Sequence, residues 1–213
     1  MKSSRHRKSD GKRFGKPKFS PTRLRIVSGD FRGSKIAYNG DPATRPMKER
    51  TRESVFSLLG GKLHGQWIVD LFGGTGVLAL EAISRGAPRA LVLELAKPAV
   101  STIIENLNAL GIADQVQVKN LDTLRWLRDF DRQHDSWPSL PWVVFVCPPY
   151  RMWGQETGIL TEGIRRMYEA SPSGSRFVCE TDGSFDIENA IPEIDWDVRR
   201  YTPATIAIGS KDE

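Results

Sequence analysis

Apolar residues recur along this chain with two different periods, and the alternation between them predicts its architecture. From residue 66 onward, short runs rich in β-branched and aromatic residues alternate with longer stretches in which apolar positions return every three or four residues. The runs predict strands at 67–72, 90–94, 116–119 and 143–147, and the periodic stretches predict helices at 77–85, 98–110 and 121–132. Short strands separated by helix-length connections pair in parallel through crossover helices, so the expected fold is α/β with a doubly wound sheet. A helix at 155–170 follows, then strand candidates at 176–180, 196–201 and 205–208. The last two are too close for a crossover helix and should form an antiparallel hairpin.

Ahead of residue 66 the pattern is different. Leu24–Ser28 and Ser34–Tyr38 are strand-like runs on either side of Gly29-Asp30-Phe31-Arg32-Gly33, a glycine-bracketed turn, and predict a β-hairpin. A helix should follow, capped by Thr44 or Arg45 with Pro46 in its first turn. Val55, Phe56, Leu58 and Leu59 give it a late apolar face, and Gly60-Gly61 ends it. The expected organisation is a basic arm over 1–23, a hairpin-and-helix extension over 24–62 and a main domain over 63–213.

Charge sharpens that division. The net charge of +5 comprises ten Lys and Arg against one acid in residues 1–25, six against three in 26–52, and fifteen against twenty-two in 53–213. An arm so rich in Lys, Arg, Gly, Pro and Ser cannot bury apolar surface and is expected to be disordered. It reads as a solubilising tail or, better, as a contact for phosphates, because the rest of the chain is opposite in sign. The longest apolar runs, such as 142–146, fall far short of the roughly 20 residues that cross a bilayer. No apolar stretch follows the N-terminal charges, so a cytoplasmic setting is expected. Cys147 and Cys179 have no metal-like spacing, and His6, His64 and His134 are scattered, so no metal is expected.

Candidate chemistry begins at Asp70-Leu71-Phe72-Gly73-Gly74-Thr75-Gly76, where the first parallel strand turns into its helix. Glycines there let a ligand approach the backbone, and the helix start offers free N–H groups. A structural turn is the competing interpretation. Asp70 narrows the choice, since an acid on the strand repels a pyrophosphate but suits a cationic sulfonium amino acid. Glu94 ends the second strand, within reach of a ribose diol.

With the Pro148-Pro149 pair after the fourth strand, these features resemble motifs I, II and IV of class I S-adenosylmethionine methyltransferases. The Gly29–Gly33 turn and the segment Arg45-Pro46-Met47-Lys48-Glu49-Arg50-Thr51-Arg52-Glu53-Ser54-Val55-Phe56 are similar to the RsmD family, bacterial enzymes that methylate a guanine exocyclic amine of small-subunit (16S) ribosomal RNA. The resemblance covers roughly residues 24–209. It implies a Rossmann-like sheet, mostly parallel with an antiparallel final strand, S-adenosylmethionine as cofactor, and ribosomal RNA or the small subunit as partner of a monomeric protein. It further implies that Asp70, Gly73, Gly74 and Gly76 hold the methionine part, with Phe72 and Thr75 in the same turn. Glu94 would hold the ribose and Asp122 the adenine amino group. Arg32, Arg45, Lys48, Arg50 and Arg52 would contact RNA, the alternative being a solvated helix face.

The methyl-acceptor motif of amino-group methyltransferases is Asp or Asn, Pro-Pro, then Phe or Tyr. An exocyclic amine attacks only when acceptors draw its hydrogens out of the ring plane, and the aromatic residue stacks on a flipped base. This chain has Cys147-Pro148-Pro149-Tyr150, with a weakly accepting thiol at the first position. The reading preferred here is that the Pro148 carbonyl and geometry suffice. The others are a Cys147 thiolate, a binding protein without turnover, or a cysteine nucleophile for pyrimidine C5 methylation. A DNA adenine N6-methyltransferase would share Pro-Pro-Tyr, but the basic hairpin and helix argue against it. Trp153 either lines the RNA-facing pocket or packs in the core, and Cys179 reads as a small hydrophobe in a buried strand.

Overall fold

The structure, a computed structural model, describes residues 22–41, 44–132 and 137–212. Of the basic arm expected over 1–23, only Thr22 and Arg23 fall within that range. They begin β1 (Thr22–Arg25), which pairs antiparallel with β2 (Lys35–Tyr38), Leu24 opposite Ile36. The hairpin expected at 24–38 is therefore present, with its first strand starting two residues earlier.

The following helix, α1 (Glu49–Leu58), starts later than the sequence suggests. Thr44 does not cap it. Its backbone N–H and hydroxyl donate instead to the Asp41 carbonyl, at 3.0 and 3.1 Å, which closes a local turn. Pro46 disfavours a helical Arg45, and Lys48 at φ −56°, ψ 140° is extended, so residues 45–48 cross the surface as a strap anchored by buried Met47.

The alternating elements then follow as β3 (Trp67–Asp70), α2 (Val77–Ser84), β4 (Arg89–Glu94), α3 (Lys97–Leu110), β5 (Val116–Asn120), α4 (Thr123–Arg128) and β6 (Trp142–Val146). The helix expected at 121–132 is shorter because Asp122 caps α4 by accepting from the Leu124 N–H at 2.9 Å; a 3₁₀ turn at 130–132 completes the stretch. The helix expected at 155–170 begins earlier and is broken at Glu156 into α5 (Arg151–Gln155) and α6 (Thr157–Ala170). After β7 (Arg176–Thr181) comes α7 (Ile187–Ala190), one short turn that periodicity did not suggest. Asp186 caps it by accepting from the Asn189 N–H at 3.1 Å. The chain ends in β8 (Trp196–Tyr201) and β9 (Ala204–Ser210).

These strands form one sheet in the order β5-β4-β3-β6-β7-β9-β8. The first five are parallel, and β9 runs antiparallel between β7 and β8, as expected of the last two strands. Alternate residues of each strand feed opposite layers. On β6, Val143 and Phe145 face α1, α2 and α3, whereas Val144 and Val146 face α4, α5 and α6. The strand order reverses direction between β3 and β6, the place where open α/β sheets leave a crevice at their carboxyl ends.

The N-terminal extension is bolted to this sheet by polar contacts. Arg52 of α1 is 1% exposed; its Nε donates to Glu81 Oε1 at 3.0 Å and its other nitrogens to the Met47 and Arg25 carbonyls. Glu81 also accepts from the Val27 N–H at 2.7 Å and faces Arg85. The Gly29–Gly33 turn seats on the end of α2, where Asp30 and Phe31 donate to Ser84. Gly29 is required there, because a Cβ would lie 1.7 Å from the Ser84 carbonyl oxygen and φ is +81°.

Candidate active site

A cavity of about 620 Å³ opens at the carboxyl ends of β3, β4, β6 and β7. Its floor is the turn after β3. Phe72, Gly73, Gly74 and Thr75 line it, while Gly76, at φ +73°, ends the turn just before α2. The turn lies flush against β4: the Gly73 N–H donates to the Leu93 carbonyl at 2.8 Å, and a Cβ at 73 would stand 2.4 Å from Val92 Cγ1. Glu94 braces the same turn by accepting from the Gly74 N–H at 2.7 Å, and its other oxygen accepts from the Ala96 N–H at 2.6 Å at the start of α3. Asp122 reaches the wall from the start of α4. Leu95, 66% exposed, adds an apolar surface that sequence reading did not single out.

Asp70 does not line the cavity but lies beneath it, fully buried. Its Oδ1 accepts a long bond from the Phe72 N–H at 3.4 Å, and among the described residues Oδ2 has no donor. Burial pushes its pKa up to about 7; the Phe72 bond opposes the rise and Glu94 adds to it. A buried carboxylate with one oxygen lacking a donor, under a glycine turn, fits a cationic ligand above it.

The acceptor motif forms the other wall. Cys147, Pro148, Pro149 and Tyr150 follow β6 and line the same cavity. Glu180, which sequence reading missed, stands beside them. The Tyr150 hydroxyl donates to Glu180 Oε1 at 2.9 Å, and the Trp153 indole N–H donates to the Glu180 carbonyl at 2.8 Å. Trp153 is buried and stacked on Phe185, with ring centroids 4.7 Å apart, so it packs and does not face RNA. Burial raises the Glu180 pKa against the lowering effect of Tyr150, and burial together with Glu180 raises that of Tyr150. Burial, then Glu180 and Asp70, hold the Cys147 thiol well above its ordinary value. These surroundings oppose the thiolate on which two of the four readings of Cys147 depend.

The five basic residues expected at RNA do not assemble as a group. Arg45 and Lys48 lie on the strap at the cavity mouth, joined there by Arg151. They also line an adjoining groove with Arg23, Arg25 and Arg52. Arg50 is exposed but lines neither space. Arg32 sits in the turn on the far end of α2, whose other end meets the cavity. Arg52 is buried, and three of its five N–H groups go to Glu81 and to the Met47 and Arg25 carbonyls, so its main engagement is with the protein itself. Among the described residues, no group of three or more His, Cys, Asp or Glu could hold a metal ion, and no helix is long and apolar enough to cross a membrane.

The sheet order, the antiparallel β9 and an acid-flanked glycine turn opening toward Pro-Pro-Tyr define a Rossmann-like fold of the methyltransferase class. Residues 24–193 match the family described as conserved hypothetical protein 95, and the chain belongs to that family, the RsmD family. It is 29% identical over 179 residues to ribosomal RNA small subunit methyltransferase D of Escherichia coli (strain K12), spanning 83% of each chain. The same-named protein of Buchnera aphidicola subsp. Acyrthosiphon pisum is 32% identical over 130 residues, 61% of this chain and 64% of that one. Among solved structures, the Escherichia coli protein yhhF matches with a TM-score of 0.69 at 25% identity, over 90% of this chain and 99% of that one.

Proposed function

We propose that the protein transfers a methyl group from S-adenosylmethionine to the exocyclic N2 amine of a guanine in small-subunit ribosomal RNA. The observation that carries this reading is that the acid-flanked glycine turn and the Pro148-Pro149-Tyr150 segment line one continuous cavity. Bound in it, S-adenosylmethionine supplies an electrophilic methyl group on a sulfonium. Gly73, Gly74 and Thr75 would hold the methionine part, Glu94 the ribose and Asp122 with Leu95 the adenine, while Asp70 beneath the turn offsets the cofactor's positive charge. Tyr150 would stack on a flipped base and the Pro148 carbonyl would accept from its amine. Most of the catalysis is positioning.

The charges sort by depth in a way that suits the two ligands. Glu94 and Glu180 line the interior with Asp70 buried behind the glycine turn, whereas Arg45, Lys48 and Arg151 stand at the mouth, where RNA phosphates would pass. Labelled methyl transfer to ribosomal RNA and to small-subunit particles from a strain lacking the gene tests the proposal. The expected product is N2-methylguanosine, and label on any other atom refutes it.

Two further outcomes are expected. Replacing Arg45 and Lys48 together with alanine should weaken RNA binding and flatten the slope of log affinity against log salt by about 1.5 to 2, with cofactor affinity unchanged. An unaltered slope would take the strap out of the RNA path. Cys147→Ala should change the single-turnover rate by less than about threefold, because a thiol is a weak acceptor. Complete loss of transfer would instead revive the thiolate.

A further inference from the structure

We propose that Glu180 supplies the hydrogen-bond acceptor that the family's motif carries at the position occupied here by Cys147. The inference rests on the N2-amine reading above. Its basis is the register of two neighbouring strands. β6 and β7 are parallel, with Val144 opposite Phe177, Phe145 opposite Val178 and Val146 opposite Cys179. Register partners in a parallel pair share a face, and the layers alternate accordingly: Val144 and Phe177 to one side, Phe145 and Val178 to the other, Val146 and Cys179 to the first. The next pair is Cys147 and Glu180. Their side chains therefore emerge on the same face, one strand spacing of about 4.8 Å apart, at the carboxyl edge where the cavity opens.

The carboxylate missing from the motif is thus present one strand over. It is held there on purpose-built contacts, since Tyr150 donates to Oε1 at 2.9 Å and the Trp153 indole fixes the Glu180 carbonyl at 2.8 Å. Among the described residues Oε2 receives no donor, although Glu180 lines the cavity. Glu180 acts on Cys147 and Tyr150, and Asp70, Cys179 and Asp182 are the other titratable groups that bear on those two.

The reaction needs such an acceptor for its balance. The nitrogen lone pair forms the new N–C bond, the methyl–sulfur bond breaks with its electron pair left on sulfur, and one amine proton must then leave nitrogen. Glu180 Oε2 draws the amine hydrogen out of the ring plane before attack, takes that proton afterwards and releases it to solvent. A carboxyl whose burial has raised its pKa holds a proton better than an ordinary one, which favours the uptake.

Single-turnover transfer to small-subunit particles, with the product atom mapped by mass spectrometry, tests this in the full-length protein. Glu180→Gln should slow transfer by about 10- to 100-fold, the value of a charge-assisted hydrogen bond. Calorimetric S-adenosylmethionine affinity and the thermal midpoint should be retained. Glu180→Asp, which keeps the charge on a shorter arm, should fall between Glu180→Gln and the parent. Adding Cys147→Asn to Glu180→Gln should restore part of the rate, because a neutral acceptor returns to the motif position. Without turnover, the ¹³C-carboxyl glutamate resonance that Glu180→Gln removes should shift when the substrate RNA is added with S-adenosylhomocysteine. A Glu180→Gln rate within threefold of the parent, or a resonance that stays put, overturns the role of Glu180 while N2-methylguanosine leaves the proposed function standing. Label on a different atom of the parent's product overturns both.

Discussion

Arg52→Ala is expected to lower the unfolding free energy by about 3–5 kcal/mol, the range for leaving one member of a buried ion pair without its partner. Small domains hold only about 5–15 kcal/mol in total, so this change should bring the protein close to unfolding at growth temperature. The size of the effect follows from what Arg52 touches. Its guanidinium meets Glu81, the Met47 carbonyl and the Arg25 carbonyl, which lie on α2, the strap and β1 respectively. Removing it opens three connections at once and leaves the buried Glu81 with only Arg85 and the Val27 N–H. Arg45→Ala and Arg50→Ala, both at exposed positions, should stay within about 0.5 kcal/mol of the parent. Urea unfolding of the three variants separates these cases. Equal stability for all three would show that the extension is held by its apolar face, Val55, Phe56 and Leu59, and not by this cluster.

The strap of residues 45–48 depends on the same cluster, and this links stability to the site. Arg45, Pro46, Met47 and Lys48 line the cavity, and Arg52 holds the Met47 carbonyl at 3.2 Å. A residue that looks like an RNA contact in the sequence thus positions the residues that can be one. Nothing local in the sequence distinguishes them, because Arg45, Lys48, Arg50 and Arg52 all belong to one polar run. The distinguishing partner, Glu81, lies 29 positions away on another helix.

Elements whose period is set by burial were legible for the converse reason. β6 is buried at all five positions and its neighbours alternate with amphipathic helices, so parallel pairing through crossovers follows from connection length. Ends were less legible. α1 starts at Glu49 because Thr44 is taken by Asp41, a competition between two polar partners that periodicity does not register. Glu180 escaped notice because its significance lies in a cross-strand register. A Glu closing a strand at 176–180 has an ordinary appearance until β7 is aligned with β6 and its side chain falls beside Cys147. The glycine turn, Glu94 and Pro-Pro-Tyr were legible because each is a local motif with local geometry.

S-adenosylmethionine affinity is expected to rise with pH until about pH 7 and then level off, and Asp70 is the reason. In the free protein, burial pushes this carboxyl up to about 7, against the weak bond from Phe72 and with some help from Glu94. Only the ionised form attracts the cofactor's sulfonium and ammonium. Below pH 7 the free protein holds a proton that binding must expel, so affinity falls toward tenfold per pH unit, or about 50-fold between pH 7 and pH 5. The ligand's own ammonium stays protonated across that window, so it contributes no opposing change. Asp70→Asn mimics the protonated acid and should bind weakly at every pH, with a flat profile. Glu94→Gln should weaken binding throughout but keep the dependence, because Asp70 remains buried beneath the turn. Calorimetric titrations at several pH values, with folding followed by circular dichroism, distinguish these cases. A flat profile in the parent protein would remove Asp70 from the cofactor site, and a slope that survives Asp70→Asn would assign the titration to another group.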